Sequence, residues 1–126
     1  MTAEELRKVS GGVIGHFTPK EITVDATELA VSANNIGLKV PANKFVYGAY
    51  IKNETNDLAS DGAATVKVTV GSTDVISATG ISGLKGKGVA VLDASPDFAA
   101  TEREVKLTVD AAAYTAGKLI VGVIYG

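Results

Sequence analysis

Apolar and polar residues alternate along most of this chain with a period of two, as in a strand with one buried face. In Ala64–Val70, Val66, Val68 and Val70 share one side while Thr65, Lys67 and Thr69 share the other. Val105–Val109 repeats the pattern, setting Val105, Leu107 and Val109 against Lys106 and Thr108. Two further runs are apolar on both sides. In Phe45–Ile51, Phe45, Tyr47, Ala49 and Ile51 fall on one face and Val46, Gly48 and Tyr50 on the other. In Leu119–Tyr125, Leu119, Val121, Val123 and Tyr125 oppose Ile120 and Ile124. A strand of that kind is either central in a sheet or covered by another subunit.

Shorter strands are predicted at Ile22–Asp25, Ile36–Val40, Asp74–Ala78, Ile81–Lys85 and Val89–Leu92. Turn formers separate them: Asn34-Asn35, Gly71-Ser72, the polar loop Asn53–Gly62, and Ala94–Thr101, which holds Pro96. Pro41 ends the strand before it, because proline has no N–H to give a ladder. About eight or nine short strands at regular spacing predict an all-β, antiparallel β-sandwich over residues 21–126. Their varied connections favour a jelly-roll-like pair of sheets over an up-and-down barrel.

Residues 1–20 are read separately, as a short helix or arm. Thr2 and Glu5 form a capping box. Glu4 and Glu5 precede Arg7 and Lys8, the order a helix dipole prefers, and Gly11-Gly12 stops the helix. Two turns of helix are marginal alone, so the segment needs a surface to lie on. Leu6, Val9, Val13, Ile14 and Phe17 are its apolar contacts.

At 126 residues, with 46% apolar and 21% charged residues, the chain has the size and balance of one globular domain. Its net charge of −2 and lack of a basic run give no cationic footprint, so nucleic acid is not an expected partner. With no cysteine, disulfides, thiolate catalysis and thiolate metal sites are excluded. The N-terminus lacks the apolar core of a signal peptide, and no apolar stretch approaches bilayer-spanning length. A soluble protein without a membrane partner is expected.

Candidate chemistry is sparse. His16 stands alone, with neither a metal-ligand set nor a nucleophile to activate. No G-x-S-x-G elbow occurs. The glycines of Gly83–Gly88 lie between predicted strands and lack the Ser or Thr of a P-loop, so a hairpin is expected there. The Asn53–Asp61 loop carries Asn53, Glu54, Asn56, Asp57 and Asp61 but does not have EF-hand spacing. Tyr47, Tyr50, Tyr114 and Tyr125 could stack on a sugar, though packing with a hydroxyl at the edge suits them better. The residues predict no enzyme, no cofactor and no metal.

Three segments carry a family resemblance: Pro41-Ala42-Asn43-Lys44-Phe45-Val46-Tyr47-Gly48-Ala49, then Asp61–Gly71 with its A-T-V-x-V-x-V-G core, then Leu107-Thr108-Val109 with Thr115–Tyr125. Together they resemble the small virion structural proteins of tailed bacteriophages, from Val40 to the end. The resemblance implies a jelly-roll-like sandwich on the capsid, a decoration or head-fibre protein, often trimeric, made in the host cytoplasm. It implies a C-terminal hairpin, and the major capsid protein or another virion protein as partner. On that reading Leu119, Ile120, Val121, Ile124, Tyr125 and Tyr47 form an interface between copies. Leu6, Val9, Val13, Ile14 and Phe17 dock on the shell. A tail-associated structural module and a carbohydrate-binding sandwich are the alternatives.

Overall fold

The computed structural model describes residues 18–126. The expected N-terminal helix, with Leu6, Val9, Val13, Ile14, His16 and Phe17, lies outside the described residues. Ten strands follow: β1 (Thr18–Asp25), β2 (Ala33–Val40), β3 (Lys44–Lys52), β4 (Ala59–Ser60), β5 (Thr65–Val70), β6 (Thr73–Gly80), β7 (Gly88–Ala99), β8 (Arg103–Asp110), β9 (Tyr114–Ala116) and β10 (Lys118–Tyr125).

They form two four-stranded sheets, β1-β10-β3-β7 and β2-β8-β5-β6, with β4 and β9 paired as a small ribbon. Every pairing is antiparallel. The chain enters the first sheet at β1, crosses to the second at β2, and returns at β3. It spends β5 and β6 in the second sheet, then alternates through β7, β8 and β10. This is the connectivity of a jelly roll, and the all-β sandwich is the expected class.

The alternation read from sequence decides which side of each strand faces in. Val66, Val68 and Val70 on β5, with Val105, Leu107 and Val109 on β8, are buried beneath the second sheet. Leu119, Val121, Val123 and Tyr125 on β10 close on them from the first sheet, with Ile51 on β3. Because β10 lies between β1 and β3, with Val121 opposite both Ile22 and Ile51, its backbone is paired on both edges. Centrality therefore accounts for its buried side, and Ile120 and Ile124 remain half-buried on the other.

Four expectations about the elements are corrected. The C-terminal hairpin does not form: β8 and β10 lie in opposite sheets. Ile81–Lys85 is not a strand but, over Ile81–Leu84, one helical turn (α1), closed by Lys85 N–H donating to the Ile81 carbonyl at 2.8 Å. The reason is spacing: residues three apart share a helical face, which turns Ile81 and Leu84 together onto the core. The same turn replaces the hairpin expected at Gly83–Gly88, with Gly88 opening β7. The loop expected at Ala94–Thr101 is mostly strand, because β7 runs on to Ala99. Pro96 is tolerated there because the β3 register shifts at that point, between Val46 and Gly48, so no ladder bond is lost.

A register shift against β10 also corrects the faces of β3. Tyr125 and Ile124 stand opposite Val46 and Gly48, so Tyr47 is one inserted residue, which resets the period-two phase. Val46 before the shift and Ala49 and Ile51 after it all face the core. Tyr47, expected beside Ala49 and Ile51, is half-buried next to the outward Phe45, with ring centroids 6.2 Å apart.

Core and surface positions should separate sharply. Leu107→Ala is expected to lower stability by roughly 2–5 kcal/mol in urea unfolding, through lost transfer energy and a residual cavity. Leu92→Ala, on the outward side of β7, is expected to change it by no more than about 0.5 kcal/mol.

Candidate functional site

The two sheets present different outer faces. On the second, the pairs Thr65–Asp110, Lys67–Thr108 and Thr69–Lys106 point outward, and Lys67 adds an ion pair to Asp74 at 3.4 Å. On the first, Pro19 stands opposite Ile124, Ile124 opposite Gly48, and Gly48 opposite Leu92, so one row crosses all four strands without a charge. The next row toward the chain terminus is aromatic. Phe45 pairs with Phe98 across β3 and β7, their centroids 5.0 Å apart.

A different arrangement fixes the middle of this face. Tyr50 on β3 lies over Gly122 on β10, and its hydroxyl donates to the Glu21 carboxylate on β1. A Cβ at Gly122 would stand 2.1 Å from the Tyr50 ring, so only glycine lets the ring cross. Burial, then the hydrogen bond and negative charge of Glu21, push the Tyr50 phenol up to about 12. Lys52 sits 5.9 Å from the same ring and pairs with Glu54 at 3.0 Å, so charge gathers at the Ile120 end of the face.

Of the six residues expected between copies, Leu119, Val121 and Tyr125 point into the core of their own subunit. Ile120, Ile124 and Tyr47 lie half-buried on the outer side. Three residues that the sequence reading passed over stand with them: Leu92 at 76% exposure, Phe98 at 49% and Phe45 at 42%. The position of Leu92 was available in the run Val89–Leu92, where inward Val89 and Val91 force residue 92 outward. Phe98 keeps the outward phase of Leu92 and was missed because Ala94–Thr101 reads as a loop.

The other candidates resolve into structural roles. Asn53 is fully buried: its amide nitrogen donates to Asp57 at 3.0 Å and to the Lys118 carbonyl at 2.9 Å, and its oxygen accepts from Gly86 N–H at 3.1 Å. Hydrogen bonds from Asn53 and Thr55 hold the Asp57 carboxyl below the ordinary aspartate value. The Asn53 side-chain amide thus ties the end of β3, β10 and the turn before β7 together. The four tyrosines do not form one platform, since Tyr114 and Tyr125 are buried. Burial alone raises the Tyr114 phenol to about 12.

Beside the edge strands β1 and β2 lies a cleft of about 290 Å³, bordered by Ile22, Asp25, Glu28, Asn34 and Ile36. Its Asp25 carboxylate already accepts from the backbone and hydroxyl of Thr27, at 3.0 and 2.7 Å. Among the described residues, no group of three or more His, Cys, Asp or Glu is placed to hold a metal ion. No helix among them is long and apolar enough to cross a membrane.

No protein-family model matches this chain, and no curated protein matches it. Among solved structures, the fold is similar to that of a chain in the capsid of Ralstonia phage GP4. The TM-score is 0.59 and the identity 18%, over 88% of this chain and 83% of that one. At that identity the likeness is one of fold.

The Tyr50 crossing has two measurable consequences. Gly122→Ala is expected to lower stability by about 1–3 kcal/mol, since the ring must leave its position. In the Tyr50→Ala background the same change should cost less, because the clash has gone. The folded phenol titrates near 12 against an ordinary 10.0, so its contribution is complete below pH 10 and is lost as pH rises toward 12. Denaturant midpoints measured across that window should fall less steeply for Tyr50→Phe than for the parent.

Proposed function

We propose that this protein is a non-enzymatic structural component of a tailed-phage virion, a decoration or head-fibre protein that binds and reinforces the capsid shell. The observation that carries this reading is the jelly-roll likeness to a phage capsid chain over 88% of the sequence. The motif resemblance from Val40 to the end supports it from the other direction, since those segments form β3, β5, β8 and β10. The described polar groups support a structural role as well: Asn53, Asp57 and Asp25 are engaged in holding loops.

In this reading the partner is the major capsid protein or another virion protein, and several copies associate, with a trimer favoured. The N-terminal arm does the docking through Leu6, Val9, Val13, Ile14 and Phe17. Its exit point supports this: Thr18 pairs with Tyr125 at one end of the first sheet, so the arm leaves from an edge of the sandwich.

Co-sedimentation tests the reading. The purified protein is expected to pellet with assembled phage shells and to leave unassembled capsid subunits largely in the supernatant. Ile14→Asp should weaken pelleting by roughly tenfold or more if the residue is an anchor, while circular dichroism stays that of the parent. Retention on glycans, or association with detached tails in place of heads, would overturn it.

A further inference from the structure

The outer face of the first sheet has two ends of different character. At the Ile120 end stand Lys52, paired with Glu54, and Glu21, bonded to Tyr50. At the other end stand Leu92, Phe98, Phe45 and Ile124, with Tyr47 against Phe45. Three of the four exposed large apolar residues among those described belong to this end. Asp97, beside Phe98 in sequence, is paired, its carboxylate accepting from the Arg103 guanidinium at 3.0 Å. Arg103 in turn donates to the Lys44 carbonyl at 3.1 Å, which holds the β7 and β3 ends together beneath the two phenylalanines.

The size of the patch is informative. An aromatic side chain carries roughly 150–250 Å² of area. At the exposures observed, Leu92, Phe98 and Phe45 together leave on the order of 300 Å² of apolar surface in water, before Ile124 and Tyr47 are counted. A standard interface takes about 800 Å² from each partner, somewhat more than half of it non-polar. This end of one sheet therefore supplies most of the non-polar share of one side. Its chemistry restricts the occupant, because a charged surface placed here would lose hydration without gaining a partner. A second copy brings an equal apolar area and no opposing charge, and a net charge of −2 per chain sets little long-range repulsion against it.

We propose that the Leu92–Phe98–Phe45 end of the first sheet is a contact surface between copies of this chain. The inference rests on the virion reading for the presence of several copies, and on the chemistry of the face for its location. It moves the contact away from Leu119, Val121 and Tyr125, which are already buried within one subunit. Ile124 and Tyr47 are retained as its margin.

The test uses the full chain. Light scattering across a concentration series should give a mass above that of one chain. Leu92→Asp and Phe98→Asp should each weaken association by roughly tenfold or more. Both side chains stand outside the core, so the fold should survive, and Leu92→Ser serves as the milder variant should either aspartate fail to fold. A photoreactive phenylalanine analogue at position 92 should crosslink to a second copy. A monomeric parent at every concentration overturns the proposal, as does an unchanged mass in folded Leu92→Asp or Leu92→Ser. Crosslinks from position 92 to residues 1–17 of the same chain also overturn it, since the arm would then be the occupant. A monomer that still pellets with shells overturns only this inference. A multimer that ignores shells overturns only the virion reading.

Discussion

Closure of two sheets over one shared apolar layer is the constraint on which the rest of this protein depends. The chain changes sheet at nearly every major connection, so neither sheet forms from a contiguous stretch of sequence. β1 and β10, at opposite ends of the described residues, pair along their whole lengths from Thr18–Tyr125 to Asp25–Lys118. Such pairings recover their loop-closure entropy only when the apolar faces meet. The valines and leucines of β5, β8 and β10 supply that return, and the outward residues are free to differ.

How much of this was legible in the sequence depended on whether a strand kept its phase. β5 and β8 alternate without interruption, so Val66, Val68, Val105 and Leu107 could be assigned to the core from spacing alone. β10 could be divided correctly into two faces, though not assigned to a sheet, because pairing partners leave no local mark. β3 lost its phase at a register shift against β10, where one inserted residue sends Tyr47 outward. β7 keeps its phase, and Phe98 was missed because its stretch reads as a proline-containing loop when it is strand. Ile81–Leu84 failed for a related reason: over four residues a helical turn and a short strand carry the same apolar content, and only the spacing of three separates them.

The same register shift shapes the candidate surface. Without it, Phe45 and Tyr47 would follow Ala49 and Ile51 inward and Val46 would face water. With it, the small Val46 fills the core and the aromatic rings are delivered to the outside, beside Leu92 and Phe98. Bulges commonly re-aim side chains toward functional surfaces. The feature that defeated the alternation rule and the feature that builds the apolar patch are therefore one event in the backbone.

Polar side chains tell the complementary story. Asn34 donates from its amide to the carbonyls of Ala30, Ser32 and Leu107, and accepts from Ala30 N–H at 2.8 Å. It thereby fixes the entry of β2 onto β8. Asn53 does the same for β3 and β10, and Arg103 for β7 and β3. These residues satisfy backbone groups that a crossing connection would otherwise leave unpaired, each of which would cost about 1–3 kcal/mol if buried alone. A residue whose donors and acceptors are already used within the fold has little left to offer a ligand. Among the described residues, the large apolar side chains left in water on the first sheet are Leu92, Phe98 and Phe45, which make no such polar ties.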